Sequence, residues 1–261
     1  MKKTMFFRSL FYIIGLLVLA LGLTLNTKVG LGVSPIISVS FSISTISGLN
    51  FGNMTLVLYA AFVLLEILLH TGQYRRSRQT TAGEGCLHAK QVDLKITLLF
   101  DVLQFPLSLI FTRFLNLFSE QIPELQTAYA DAFAGSLPGR FLFLCLAILL
   151  TGIGAAMSLN MRLVPNPGDG IVQAIADTIG RSVGFTKNCF DLFNIVLTTA
   201  ISLLFAGHLV GVGVGTVVAV VGVGRVIALF NHFTQDWMAR KAKEQESPGQ
   251  AARKSVCVSR L

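Results

Sequence analysis

Residues 166–179 read NPGDGIVQAIADTI, and residues 34–47 read SPIISVSFSISTIS. Each stretch opens on a good helix N-cap followed by proline at the first helical position, where the missing N–H costs nothing. From those prolines, 35–47 and 167–179 are 13 residues each. A helix of that length reaches only about 20 Å, short of a hydrocarbon core of about 30 Å. Asp169 also bars the second from facing lipid. Whether these two segments cross a membrane or turn back within it sets the direction of everything that follows them.

They sit among six longer apolar stretches, approximately 9–27, 53–70, 94–118, 140–160, 188–206 and 208–233. Only 13% of the 261 residues are charged and 53% are hydrophobic, with a mean hydropathy of +0.69. Soluble domains carry about 25% charged residues, so an ordinary soluble globule is excluded and the main partner is the lipid bilayer. The 21 basic residues outnumber the 13 acidic ones, for a net charge of +8. On a membrane protein that excess marks a cytoplasmic face, and no nucleic acid partner is expected.

The basic residues decide the short segments. With both segments re-entrant and the N-terminus cytoplasmic, seventeen of the 21 fall inside, including Arg75, Arg76, Arg78, Lys90 and Lys95. The opposite loop holds Glu120, Glu124 and Asp131. Full crossings would reverse both assignments, against the retention of Lys and Arg in cytoplasmic loops. Sliding the chain on itself until Leu10 meets Leu142 aligns 10–69 with 142–201 without a gap, matching Gly22, Pro35, Gly48 and Gly52 to Gly154, Pro167, Gly180 and Gly184. Three crossings per half invert the halves relative to each other. The expected fold is an all-α multipass membrane protein of six transmembrane helices plus two re-entrant half-helices in an inverted repeat. Its parts are 1–70, the first repeat core; 71–93, a basic cytoplasmic loop; 94–118, the third span; 119–139, an acidic extracytoplasmic loop; 140–233, the second repeat; and 234–261, a basic, disordered cytoplasmic tail.

Discontinuous helices paired about an axis in the membrane plane are how secondary transporters build a binding site. The two half-helix N-termini are expected to meet near mid-membrane, offering free N–H donors and positive dipole ends to an anion, a carboxylate or a polar solute. Ser34, Pro35, Asn166, Pro167 and Asp169 are therefore the candidate binding residues. Asp169 sits where it can satisfy its own helix end, which leaves the Ser34 end for a ligand. Ionisable residues inside spans are costly and need a reason; here they are Glu66, Asp101, Asp191 and Arg225. Arg225 is expected to pair with Asp101 or Asp191, as a structural ion pair or a coupling site, while Glu66 and Asp191 are shallow enough to reach water. Gly207, Gly211, Gly215 and Ala219 recur every four residues in the last span, a small-residue face for helix packing or a homodimer seam. Gly152 and Ala156 hint at a matching surface.

The four cysteines fall in no close pair, the four histidines look isolated, and HExxH, GxSxG, GxGxxG and Walker patterns are absent. No metal, no cofactor and no enzymatic activity are expected.

The motifs VGLGVSP at 29–35, SGLNFG at 47–52, LVPNPGDGI at 163–171 and GVGVGTVVAVVGVGRVI at 211–227 resemble the YczE/YitT-like uncharacterised bacterial integral membrane proteins. The resemblance spans most of 9–235 and implies a multipass protein of the bacterial inner membrane without assigned chemistry. One departure is Ile36-Ile37 after the first proline, where relatives more often show Trp-Asp. Together these readings favour a secondary transporter or permease for a small polar or anionic solute, with both termini cytoplasmic. The alternative is a non-transport accessory or regulatory protein acting through helix contacts with partners.

Overall fold

The computed structural model describes residues 2–80, 84–161 and 163–242. These residues form nine α-helices: α1 (Lys2–Lys28), α2 (Pro35–Ser47), α3 (Phe51–Thr80), α4 (Glu84–Gln121), α5 (Leu125–Ala128), α6 (Leu137–Asn160), α7 (Pro167–Ile179), α8 (Val183–Ala206) and α9 (Val214–Ala242). Six candidate spans lie within them: Phe6–Lys28, Phe51–Arg75, Leu94–Ala128, Leu137–Asn160, Val183–Ala206 and Val214–Thr234. The third runs through a break after Gln121 into α5. Large apolar side chains on their outer faces, such as Leu68, Leu204, Phe205 and Phe233, stand exposed. That is the surface a bilayer covers.

The two short helices form over the 13 residues expected, α2 and α7. Proline begins both, and both stop at a glycine in the left-handed region, Gly48 at φ 68° and Gly180 at φ 65°. Glycine takes that conformation without the Cβ clash that resists it in other residues.

At the centre, α1 and α6 run antiparallel in close contact, with Gly15 against Ser158 and Gly22 against Thr151. A Cβ on Gly22 would lie 2.5 Å from the Thr151 nitrogen, so the missing side chains set the helix spacing. An arginine closes each end of the pair. Arg8 Nη2 donates to the Met161 carbonyl at 2.8 Å, and Arg140 donates to the carbonyls of Val29 at 2.8 Å and Gly30 at 2.7 Å. The register that sets Leu10 on Leu142 also sets Arg8 on Arg140, and it sets their acceptors Val29 and Met161 on each other. The short helices pack outward from this centre. α2 lies along α8, with Ser38 on Thr198 and Ser42 on Ser202, and α7 lies along α3, with Gly170 on Glu66 and Gln73 on Thr178.

Several boundaries differ from the expected ones, each for a local reason. Gly207 caps α8 at φ 71° and Gly211 sits at φ 79° in the connection, so α9 begins at Val214 and not at 208. Gly207, Gly211, Gly215 and Ala219 therefore do not share one helix face. Instead the connection pairs with the extended segment after α1, Val33 N donating to Gly211 O at 2.9 Å and Gly215 N to Leu31 O at 2.7 Å. Backbone that is not helical must find such partners inside a membrane. Gly215 and buried Ala219 face this inner packing, as does Gly152, whose missing Cβ makes room for Val226 of α9. The stretch 71–93, expected as a loop, continues α3 to Thr80 and is taken up again by α4 from Glu84. The expected tail is helical as far as Ala242; its residues 243–261 lie outside the described residues.

Candidate functional site

The N-termini of α2 and α7 meet. A Cβ on Gly168 would lie 2.7 Å from Ile36 Cγ1, so the second residues of the two helices touch. Around that contact a cavity of about 50 Å³ is lined by Ser34, Asn166, Gly168, Asp169, Tyr59 and Lys187, among others. Asn166 caps its helix by accepting from Gly168 N at 3.4 Å, whereas the Ser34 hydroxyl makes no capping bond. Of the five candidate binding residues, Ser34, Asn166 and Asp169 reach this cavity, and the prolines set the geometry by starting both helices there.

Asp169 and Lys187 also line a second cavity of about 490 Å³, walled further by Glu66, His70, Asp101, Gln104 and Gln173. Its wall includes Glu66 and His70 of α3 and the facing turns of α4 from Thr97 to Gln104. A third space of about 450 Å³ between α1 and α4 is bounded almost wholly by hydrocarbon and offers little to anchor a polar group.

The intramembrane charges pair differently from expectation. Asp101 pairs with His70, Nδ1 to Oδ2 at 2.8 Å, and Asp191 with Lys187 at 3.7 Å. Arg225 is exposed on α9 and forms no ion pair among the described residues. The physical reason is helical register. His70 follows Glu66 by four residues and faces α4, and Lys187 precedes Asp191 by four on α8, so both side chains lie on the faces that carry the acids. Glu66 and Asp191, expected to reach water, are instead 3% and 4% exposed.

Composition does not single out Lys187, His70, Gln104 or Tyr59. In the sequence Lys187 marks only the cytoplasmic side, and His70 looks isolated because its partner Asp101 lies on another helix. Their i, i+4 spacing to Asp191 and Glu66 is the available signal. Gln104 and Tyr59 carry no charge and give none.

Six long apolar helices, with polar side chains gathered at the cavities between them, define a polytopic α-helical membrane protein. The chain belongs to a family of unknown function, DUF6198, which matches residues 6–82 and 86–232. It is similar to the uncharacterized protein YyaS of Bacillus subtilis (strain 168), 23% identical over 223 residues that cover 85% of this chain and 92% of that relative. No solved structure matches the chain.

Proposed function

We propose that this chain is a secondary transporter or permease for a small polar or anionic solute, built from two inverted halves that rock about the cavity between α2 and α7. The observation that carries the reading is the meeting of two proline-started helix N-termini at one cavity, with Ser34, Asn166, Asp169 and Lys187 on its wall. Helix N-termini supply N–H donors and positive dipole ends, so the solute carries a carboxylate or other acceptor-rich group.

Several features support the inversion. α2 and α7 have equal length and matching caps. Arg8 and Arg140 close opposite ends of the antiparallel α1–α6 pair through acceptors that the same register relates. In this reading both short helices are re-entrant, the termini are cytoplasmic, and the protein sits in a bacterial inner membrane, as the YczE/YitT-like resemblance implies. The larger cavity then faces the cytoplasm, so the conformation described is inward-facing. A gradient drives the cycle, and the protein is not an enzyme. Gly211 and Gly215 pack against Phe41 and Leu31 of the same chain, which favours this reading over a homodimer seam or a partner-binding face at those two residues.

Purified protein in proteoliposomes, given a panel of small carboxylates and polar solutes under an imposed ion gradient, accumulates at least one of them. Asn166→Ala and Asp169→Ala abolish that uptake. If no solute or ion moves, and both variants leave the cellular phenotype intact, the transport reading is wrong.

A further inference from the structure

Four side chains that the proposed solute path leaves unused converge beside Gly170. Glu66 and His70 lie one turn apart on α3, and Asp101 and Gln104 one turn apart on α4. One donor atom each from Glu66, His70 and Asp101 lies within 4.8 Å of the other two. Glu66, Asp101 and Gln104 are 3%, 2% and 0% exposed. Gln104 Nε2 donates to Glu66 Oε1 at 3.0 Å, leaving Glu66 Oε2 and Gln104 Oε1 without a hydrogen-bond partner among the described residues. Both orphans are acceptors, so neither can serve the other. Two buried carboxylates also need positive charge close by, and His70, bonded to Asp101, supplies at most one unit of it. The one lysine lining this cavity, Lys187, is held by Asp191 on α8.

We infer that Glu66, His70, Asp101 and Gln104 bind one divalent first-row transition cation, of the Mn²⁺ or Zn²⁺ type. A divalent ion answers both deficits at once, since it neutralises two carboxylates and occupies acceptors that lack donors. Three oxygen donors with one imidazole suit these ions; the set contains no sulfur for Cu(I), and Mg²⁺ and Ca²⁺ take oxygen rather than imidazole. Tetrahedral ligands held at 2.0–2.2 Å from an ion stand about 3.3–3.6 Å apart, so Glu66, His70 and Asp101, whose donors already lie within 4.8 Å of one another, close on an ion by side-chain adjustment. The site forms part of the wall of the 490 Å³ cavity, which gives an ion its entry path. Gly170 makes the convergence feasible. A Cβ there would lie 2.8 Å from both Glu66 oxygens and 3.0 Å from Gln104 Oε1.

The inference stands apart from the transport reading, because it is tested by binding in detergent with no gradient. The purified full-length chain is titrated with Mn²⁺ while the electron paramagnetic resonance signal of free Mn²⁺ is followed. The result expected is saturable uptake of one Mn²⁺ per chain, displaced by Zn²⁺ and not by an equal concentration of Mg²⁺. Glu66→Gln and Asp101→Asn each weaken it roughly tenfold or more, Gly170→Ala weakens it by crowding the donors, and Ser42→Ala, in the α2–α8 seam, leaves it unchanged. Should either carboxylate variant lose its monodisperse elution peak, the comparison of Gly170→Ala with Ser42→Ala decides. No saturable uptake of Mn²⁺ or Zn²⁺ by monodisperse protein overturns the assignment, and so does undiminished binding in Glu66→Gln, Asp101→Asn and Gly170→Ala.

Discussion

The seam between α2 and α8 and the seam between α7 and α3 occupy corresponding places in the two halves of the chain, and their chemistry is opposite. On the first, Ser38 meets Thr198 at 2.7 Å and Ser42 meets Ser202 at 2.9 Å, while Ser40 reaches Thr55 at 3.1 Å. Every hydroxyl in these pairs is satisfied by a neighbour. The register that sets Pro35 on Pro167 carries the Ser38–Thr198 pair onto Gly170 and Glu66, and Ser42–Ser202 onto Ala174 and His70. Here the small partner lies on the short helix and the ionisable one on the long helix. Acceptors are left unmet, and a cavity of about 490 Å³ opens beside them. The two seams thus differ in kind, one neutral with its hydroxyls paired and one charged with acceptors unmet.

Exchanging the chemistry is the severest way to break this comparison. Thr198→Glu places a carboxylate in the neutral seam without a partner, at a cost of about 2.5–3.5 kcal/mol on insertion scales. It should collapse the yield of monodisperse protein on size exclusion. Glu66→Thr, the reverse exchange, should leave a folded protein. If Thr198→Glu purifies as well as the parent, the two seams are not chemically distinct.

Smaller changes sharpen the contrast. Gly170→Ala should cost about 1–3 kcal/mol by overpacking, because its Cβ meets both Glu66 oxygens at 2.8 Å. Denaturant unfolding in detergent measures this, and an unchanged midpoint would show that α7 moves away freely. Glu66→Gln should stabilise the metal-free protein by about 1–2 kcal/mol, since an amide supplies a donor for the orphaned Gln104 Oε1 and removes a buried charge. At about 2–4 °C per kcal/mol for a protein of this size, a thermal melt resolves the gain, and a loss of stability would contradict the account. Ser42→Ala should cost least, about 0.6 kcal/mol, the usual worth of a hydrogen bond between membrane helices.

Particular residues show why some of this is legible in the chain and some is not. Pro35 and Pro167 with their N-caps, and Gly48 and Gly180 at the far ends, delimit the short helices because backbone geometry restricts which residues stand there. Apolar length locates six spans for a similarly local reason. Contacts across the chain are hidden. His70 and Asp101 are joined by the register of two separate helices, α3 and α4, and nothing in either neighbourhood announces it. Arg225 looks like the natural partner of a buried acid, yet α9 turns it outward. The four-residue recurrence of Gly207, Gly211, Gly215 and Ala219 suggests one face, but positive φ at Gly207 and Gly211 breaks the helix before that face can form. Residues 71–80 are polar enough to read as a loop, and they nonetheless extend α3, because helix formation needs no apolar face beyond the membrane.

The central claim is that the two halves are inverted about the α2–α7 cavity, and labelling with a membrane-impermeant thiol reagent tests it most directly. In a chain whose only cysteine replaces Asp131, intact cells should be labelled from outside. In a chain whose only cysteine is the native Cys86, labelling should require permeabilised cells. Labelling of Cys86 from outside would place the connection between α3 and α4 on the wrong face, make both short helices full crossings, and end the inverted arrangement along with the site built on it.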